Sequence, residues 1–281
     1  MARCFGIIGG DRRQAELARL LEEDGAEVCT YGLREWRAPR ADSLEKAVMA
    51  DVILLPMPLC QRGVLNCRES SIETRELFRY LNPKQRIFAG RIDEQQWLEA
   101  EQYGLNMEDY FSREELVVAN AAATAEAAIL VAMEHLDETL LGMECLVLGF
   151  GRIGKLLCHR LAGMGAKVTA TARKREDLAW IRAYDFCAED TLKLNGKLEK
   201  FGLVFNTVPA PVLDTALLAQ LKPGCLCIDL ASRQGIDPAA AEKLGLPNLW
   251  ATALPGRMVP RAAARAIRDT VYYMLSEGDF D

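Results

Sequence analysis

The chain has 281 residues, a formal net charge of −6, 50% hydrophobic residues and 26% charged residues. This composition is typical of a soluble globular protein with room for two domains. Its acidic balance gives no electrostatic reason to expect nucleic acid or an anionic membrane as a partner. Nine cysteines are scattered along it without a C-x-x-C pair, so we expect reduced thiols and no metal. We identify no N-terminal signal peptide and interpret no run as long and apolar enough to span a bilayer. We therefore predict a cytoplasmic protein.

The first part of the chain predicts alternating strands and helices. A strand at residues 4–8 runs into two glycines, and Asp11 with Gln14 forms a capping-box pattern at the start of an amphipathic helix. Further strands are predicted at residues 27–31, 51–55, 85–89 and 106–110, helices at 72–81 and 97–103, and a loop at 61–70. Because strands alternate with helices, residues 1–120 are expected to form an open α/β domain, flavodoxin-like in strand order.

An alanine-rich stretch that begins at Ala121 predicts a long helix between two α/β domains. Its larger apolar residues at helical spacing, expected on one face, are Ile129, Met133, Leu136 and Leu140. The second domain is predicted to cover residues 121–259, and a last helix in residues 260–281 is expected to complete the first domain. The predicted fold class is α/β, with two Rossmann-like doubly wound domains of mainly parallel sheets, joined by the long helix, with a cleft between them.

A glycine motif follows the first strand of the second domain. A short apolar run breaks into Gly149, Gly151 and Gly154, and apolar residues at helical spacing continue from Ile153. In such a strand–turn–helix the first glycine permits a tight turn, the second lets backbone approach a pyrophosphate, and the third lets helix and strand pack closely. The amides at the helix start, at Arg152 and Ile153, would face the phosphates. The motif therefore predicts a dinucleotide site.

The end of the next strand, at residues 167–171, indicates which dinucleotide binds. An NAD site usually has an acid there, which accepts hydrogen bonds from the ribose hydroxyls. This chain instead has Arg173, Lys174 and Arg175 before its first acid, Glu176. A cationic cluster fits the 2′-phosphate of NADP, although a solvated basic turn is an alternative interpretation. We predict NADP.

Two other strand ends of this domain are expected to lie near the nicotinamide, because ligands of such sheets bind at the carboxyl ends of the strands. Thr207, Val208 and Pro209 follow one strand, and Ala231 and Arg233 follow the next. The backbone of the first group would lie along the nicotinamide ribose, and Arg233 would point toward the ring. The two histidines of the chain fall on predicted helices, and we interpret both as structural.

Five stretches of the chain together resemble one family. They are GGDRRQ at residues 9–14, LVLGFGRIG at 146–154, NTVP at 206–209, DLASRQG at 229–235 and ALPG at 253–256. In this combination the chain resembles the A subunit of dipicolinate synthase, an enzyme of bacterial spore formation, over nearly its whole length. The connector departs from the family pattern: Asn120, Thr124 and Glu126 are kept, but Ala123 stands where a proline is expected.

The resemblance implies oxidation of dihydrodipicolinate to dipicolinate with NADP as hydride acceptor, together with a second, flavoprotein-like B subunit. It implies that cations and amides hold a dicarboxylate substrate. The substrate-binding candidates are Gly10, Arg12, Arg13, Thr124 and Arg233. The catalytic candidates are Arg233, as an anchor, and Asp11 or Glu126, as the proton acceptor. A homo-oligomer is also expected.

Two alternative functions stay open. One is another two-domain NADP-dependent dehydrogenase of the hydroxy-acid or shikimate type, although no histidine is placed for the first and no Lys–Asp pairing is evident for the second. The other is a non-catalytic subunit that binds NADP while a partner performs the chemistry.

Overall fold

The structure, a computed structural model, describes residues 4–39 and 42–277. The chain divides into two compact units, one formed by Met1–Asn120 with Pro255–Asp281 and the other by Ala121–Leu254. Each unit contains its own parallel sheet with helices between the strands. The predicted α/β class with two parallel sheets and a long joining helix is thereby confirmed.

The first unit is built on a five-stranded sheet. Its strands are β1 (Cys4–Ile8), β2 (Glu27–Tyr31), β3 (Val52–Leu54), β6 (Arg86–Ala89) and β7 (Met107–Asp109), in the spatial order β2-β1-β3-β6-β7. All neighbours are parallel, which is the doubly wound flavodoxin-like order. The helices between them are α1 (Arg12–Glu23), α2 (Leu44–Ala47), α3 (Thr74–Phe78) and α4 (Glu94–Gln102).

One segment of this unit differs from the prediction. Residues 61–70 were expected to be loop, but β4 (Cys60–Gln61) and β5 (Val64–Leu65) form a small antiparallel pair. The two residues of its turn, Arg62 and Gly63, both have positive φ, at 54° and 79°. A turn of that kind matches the twist of paired strands, so the hairpin follows from a turn signal that the sequence interpretation missed.

The joining helix, α5 (Glu114–His135), begins seven residues before the predicted start at Ala121. By length and composition it could cross a membrane, the one helix of residues 4–39 and 42–277 that could, so the prediction that no run is long and apolar enough was wrong. Small side chains form much of its buried surface, including Ala121, Ala125, Ala128 and Ala132. Met133 was expected on the same face as Ile129, but it is 52% exposed whereas Ile129 is buried. Leu136 and Leu140, expected on that face too, lie beyond the end of the helix at His135.

The second unit has a six-stranded sheet, parallel throughout. Its strands are β8 (Glu144–Leu148), β9 (Lys167–Ala172), β10 (Cys187–Asp190), β11 (Leu203–Asn206), β12 (Leu226–Asp229) and β13 (Asn248–Trp250), in the order β10-β9-β8-β11-β12-β13. This is the 3-2-1-4-5-6 order of a Rossmann fold. The helices are α6 (Arg152–Gly163), α7 (Arg175–Ala183), α8 (Thr215–Leu218) and α9 (Pro238–Lys243). The topological switch point lies between β8 and β11.

The chain then returns to the first unit through α10 (Leu254–Met258) and α11 (Pro260–Glu277). The apolar face of α11 joins the core that covers one side of the first sheet, where Ile267 and Val271 are buried in one cluster with Leu17 and Leu21 of α1. Hydrogen bonds at the rim of this contact include Tyr272 Oη to Asp24 Oδ2 at 3.0 Å. The C-terminal helix is therefore an integral layer of the first unit.

Candidate functional site

The glycine turn after β8 has the geometry that a dinucleotide-binding turn requires. Gly149 has a φ of +95°, and a Cβ there would lie 2.5 Å from Thr207 Oγ1. A Cβ on Gly154 would lie 2.1 Å from the carbonyl oxygen of Gly149, whereas a Cβ on Gly151 would meet nothing within 4 Å. The first glycine is required for the turn and the third for close contact of α6 with the turn. The second leaves open space at the N-terminus of α6.

The start of α6 is suited to an anion. Gly151 is the N-cap residue, and because it has no side chain it cannot cap the first-turn amides, which lie at Arg152, Ile153 and Gly154. Four amides at a helix start lack intrahelical partners, and the helix dipole places a partial positive charge there. A phosphate over Gly151 would accept hydrogen bonds from amides at the helix start and would be attracted by this partial positive charge.

The three cations predicted to select NADP lie together at the carboxyl end of β9. Arg173 and Lys174 follow the strand, Lys174 is the N-cap residue of α7, and Arg175 is the first residue of that helix. All three are exposed. Cations at a helix N-terminus are repelled by the partial positive charge of the helix dipole. A bound phosphate would offset this repulsion.

The ends of β11 and β12 are tied together by two buried polar side chains that were not among the predicted site residues. Asn206 Nδ2 donates to Asp229 Oδ1 at 2.9 Å, and Asn206 Oδ1 accepts from the Val208 amide at 3.0 Å. Thr207 Oγ1 donates to the Leu148 carbonyl at the end of β8, also at 2.9 Å. Asn206 and Asp229 each end an otherwise apolar buried strand, and this pattern in the sequence could have identified both residues.

The loop after β12 carries Ala231 and Arg233. Ala231 is buried, with its amide 3.0 Å from Asp229 Oδ1, and Arg233 is exposed near the tip of the loop. Pro209, in the neighbouring loop that follows β11, is exposed as well. The predicted cofactor residues of these two loops thus lie at the carboxyl edge of the sheet, next to the switch point.

In the first unit, the GGDRRQ motif forms the turn between β1 and α1. Gly10 has a φ of +109°, and Asp11 caps α1 in a capping box with Gln14. Arg13 is 8% exposed and pairs with Asp11 through three contacts, Nε to Oδ1 at 2.9 Å, Nε to Oδ2 at 3.2 Å and Nη2 to Oδ2 at 2.8 Å. Arg12 is exposed, and its Nη1 lies 3.4 Å from the Arg257 carbonyl.

The Asp11–Arg13 pair bridges the switch point of the first sheet, which lies between β1 and β3. Arg13 Nη2 donates to the carbonyl of Met57, beyond β3, at 2.6 Å. Gly256 packs on the pair from α10, where a Cβ would lie 3.1 Å from both Arg13 Nε and Asp11 Oδ2. Tyr110 is a buried residue of the same unit. Burial raises the pKa of its hydroxyl, which therefore stays protonated and donates to the Leu55 carbonyl at 2.9 Å.

The two candidates on α5 have different surroundings. Thr124 is buried, whereas Glu126 is exposed and pairs with Arg160 of α6, whose Nη2 lies 2.8 Å from Glu126 Oε1. Both lie inside regular helix, because α5 continues through the segment where the expected proline is missing. The carboxylates of Asp11 and Glu126 therefore each have an arginine partner.

Neither histidine is placed among these groups within its own unit. His159 packs edge-on against Tyr184 and Phe186, with ring centroids 4.8 and 5.1 Å away. His135 lies at the end of α5, and its Nδ1 is 2.8 Å from the Val131 carbonyl oxygen. Their contacts are those of structural residues.

Comparison with known proteins finds the same resemblance that the sequence motifs indicate. Residues 4–111 match the family model for the N-terminal domain of the dipicolinate synthase A subunit. The chain is 29% identical over 284 residues to the dipicolinate synthase A subunit of Bacillus subtilis (strain 168), covering 97% of this chain and 96% of that protein. The crystal structure of the A subunit from Bacillus halodurans superimposes with a TM-score of 0.84 at 28% identity, covering 98% of each chain. In sequence and in fold, this chain is therefore similar to dipicolinate synthase A subunits over nearly its whole length.

A more distant structure extends the likeness of fold alone. The transhydrogenase of Sinorhizobium meliloti is 17% identical, with a TM-score of 0.69 over 96% of this chain and 93% of that one. This chain thus shares its two-sheet architecture with the transhydrogenase. Its GGDRRQ, LVLGFGRIG and NTVP motifs lie at the switch-point edges of the two sheets.

Proposed function

We propose that this chain oxidises dihydrodipicolinate to dipicolinate with NADP as the hydride acceptor. We propose further that it acts in the cytoplasm during sporulation, as a homo-oligomer with a flavoprotein-like B subunit. The observation that carries the proposal is the glycine turn of Gly149, Gly151 and Gly154 at the switch point of a Rossmann sheet, in a chain that is similar to dipicolinate synthase A subunits over nearly its whole length.

The second unit would hold the dinucleotide. The pyrophosphate would lie over Gly151 at the N-terminus of α6, and the nicotinamide would approach the loops after β11 and β12. The exposed cluster of Arg173, Lys174 and Arg175 supports NADP rather than NAD, because it offers cations instead of a carboxylate where the adenosine ribose binds in this fold. Arg offers the fork geometry that binds a phosphate through two hydrogen bonds.

NADP supplies a carbon that accepts hydride. Oxidation would remove a hydride, which is a hydrogen with its C–H bonding pair, and a proton from the dihydropyridine ring, and the ring would become aromatic. A carboxylate of this chain would take the proton. Because aromatisation provides driving force, the main task of the protein is to hold the two carbons in register.

The residues of this chain would supply anchors and a base. Gly10, Arg12, Arg13, Thr124 and Arg233 are the proposed groups for the carboxylates of the substrate. Arg13 is the most constrained of them, because Asp11 and Met57 fix two sides of its guanidinium. Asp11 or Glu126 is proposed to accept the proton. The pH dependence of turnover in Asp11→Asn and Glu126→Gln variants decides between the two candidates.

Absorbance at the nicotinamide band tests the proposal. Freshly generated dihydrodipicolinate and NADP are mixed with this chain, with and without a B subunit, and with NAD as the control. NADPH formation by the chain alone makes it a self-sufficient dehydrogenase, and formation only with the B subunit makes it one part of a synthase. Tight NADPH binding with no NADPH formation in either mixture would reject the dipicolinate reaction and favour a non-catalytic subunit or another substrate.

A further inference from the structure

Asp229 is a buried carboxylate at the carboxyl end of β12, with 1% exposure. Its Oδ1 accepts from the Ala231 amide at 3.0 Å and from Asn206 Nδ2 at 2.9 Å. Its Oδ2 accepts from the amides of Gly235 at 2.7 Å and Ile236 at 3.1 Å. Four donors therefore surround the carboxylate, three of them backbone amides of the loop that follows it.

The four donors are all neutral. Moving a carboxylate out of water carries a desolvation cost, and an apolar side chain in the same place would often be as stable or more stable. A buried charge of this kind has a structural role when its hydrogen bonds hold a segment of backbone in one conformation. Here they hold both ends of the loop at residues 230–236, since Ala231 is near its beginning and Ile236 is at its end.

Other contacts fix the same loop against the neighbouring strand ends. A Cβ on Gly235 would lie 2.5 Å from Asn206 Nδ2 and 2.6 Å from the Ala210 carbonyl oxygen, so the loop packs directly on the segment after β11. Trp250 Nε1 donates to the Ala231 carbonyl at 2.9 Å. The base of the loop is thus buried and hydrogen-bonded, while Ser232, Arg233 and Gln234 at its tip are exposed.

We propose that Asp229, assisted by Asn206, is a positioning residue that holds this loop so that Arg233 is presented to the nicotinamide end of the bound dinucleotide. The inference rests on the proposed dinucleotide function of the second unit. Asp229 itself is 1% exposed and touches backbone amides and Asn206, so it acts through Arg233 and not on the substrate.

The variant Asp229→Asn removes the function of the carboxylate with little change of size. Whichever way the new amide is turned, its NH₂ group faces two donors, either Gly235 and Ile236 or Ala231 and Asn206. The matched control is Asp237→Asn. Asp237 Oδ1 also accepts two backbone amides, those of Ala239 and Ala240, as the N-cap residue of α9, and asparagine caps a helix as well as aspartate does.

The first measurement is independent of turnover. Trypsin cleavage after Arg233 is followed by mass spectrometry in the folded full-length chain, with and without NADPH. We expect Asp229→Asn to cleave there about tenfold faster or more than Asp237→Asn, the effect of one lost hydrogen bond to a charged group. NADPH is expected to protect Arg233 in the wild type and in Asp237→Asn, but not in Asp229→Asn. Equal cleavage of the two variants, or no protection of the wild type, would overturn the inference.

The second measurement is a double-mutant cycle in the oxidation of dihydrodipicolinate. Asp229→Asn and Arg233→Ala are each expected to lower turnover by about tenfold or more, the effect of one lost charge-assisted hydrogen bond. The double variant is expected to be no slower than Arg233→Ala alone, because the loop has then nothing left to position. If the double variant lost turnover by the product of the two single-variant losses, the positioning role would be overturned. A wild type without turnover would reject the proposed reaction, and NADPH protection of Arg233 would then decide the inference by itself.

Discussion

Arg13 turns back over the start of α1 to Asp11, and the two side chains meet through Nε–Oδ1 at 2.9 Å and Nη2–Oδ2 at 2.8 Å. The same Nη2 lies 2.6 Å from the Met57 carbonyl oxygen. One guanidinium thus connects the turn after β1 with the loop after β3, on either side of the switch point of the first sheet. Because ligands of such sheets bind at this edge, the pair is well placed to support a substrate site.

Removing Arg13 should destabilise the first unit. Arg13→Ala leaves a partly buried carboxylate and a carbonyl without their partner, and we expect the free energy of unfolding to fall by about 1–3 kcal/mol. The control is Arg12→Ala, which alters an exposed side chain and should change stability by less than about 0.5 kcal/mol. Urea unfolding followed by circular dichroism measures both. Equal effects of the two variants would show that the buried pair contributes nothing specific.

The three glycines of the second unit should respond differently to alanine. Gly154→Ala places a Cβ 2.1 Å from the Gly149 carbonyl oxygen, so it should destabilise the fold by about 1–3 kcal/mol or more, as overpacking does. Gly151→Ala meets no protein atom within 4 Å and should keep the melting temperature nearly unchanged, while NADPH binding weakens about tenfold or more because the methyl displaces a phosphate contact.

Gly163 provides the control for that pair of variants. It lies in the last turn of α6, and a Cβ there also meets nothing within 4 Å. Gly163→Ala should raise stability by up to about 1 kcal/mol, since glycine is unfavourable in helices, and should leave NADPH affinity unchanged. NADPH fluorescence titration measures affinity. If Gly151→Ala binds NADPH like Gly163→Ala, the pyrophosphate does not lie over Gly151.

The cation cluster after β9 should determine cofactor preference. We expect Arg173→Ala and Lys174→Ala each to weaken NADP binding by about 10- to 100-fold, the effect of losing a charge-assisted hydrogen bond, and to leave NAD binding nearly unchanged. Arg182→Ala, at the other end of α7, is the matched control and should affect neither. Titration calorimetry with both dinucleotides at one salt concentration distinguishes these results. A parallel loss for NADP and NAD would indicate a general electrostatic effect instead of a 2′-phosphate contact.

Alkaline pH should weaken the second unit through its buried thiols. Burial raises the pKa of Cys145 and of Cys158 from 9.0 to about 12. Their folded pKa lies above the unfolded value, so the unfolded chain loses these protons first. The stability that the neutral thiols contribute is fully present below pH 9.0 and is lost as the pH rises to about 12.

The size of this effect can be measured by urea unfolding between about pH 8 and pH 11. For each buried thiol the slope is at most about 1.4 kcal/mol per pH unit. A Cys158→Ala variant should show a shallower decline than the wild type, because it lacks one of the two buried thiols. The same slope in Cys158→Ala and the wild type would show that this thiol does not titrate with unfolding.

Local patterns in the sequence were sufficient for much of the fold. The first two strands were predicted with the bounds that β1 and β2 have, and the capping box of Asp11 and Gln14 forms as expected. These features depend on residues within a few positions of one another, where side-chain periodicity and capping chemistry act directly. The start of α5 was missed, although the two acidic residues of its first turn, Glu114 and Glu115, were a local signal for it.

The sequence by itself determined two parallel α/β sheets and a glycine turn with the geometry for a dinucleotide, because strand, turn and helix follow one another in single short stretches. Only the tertiary structure decided which side chains share a site. Arg13 and the Met57 carbonyl are 44 positions apart, Glu126 and Arg160 are 34 apart, and Asn206 and Asp229 are 23 apart. Their hydrogen bonds depend on how parallel strands bring distant loops to one edge of a sheet, and no local pattern specifies that register.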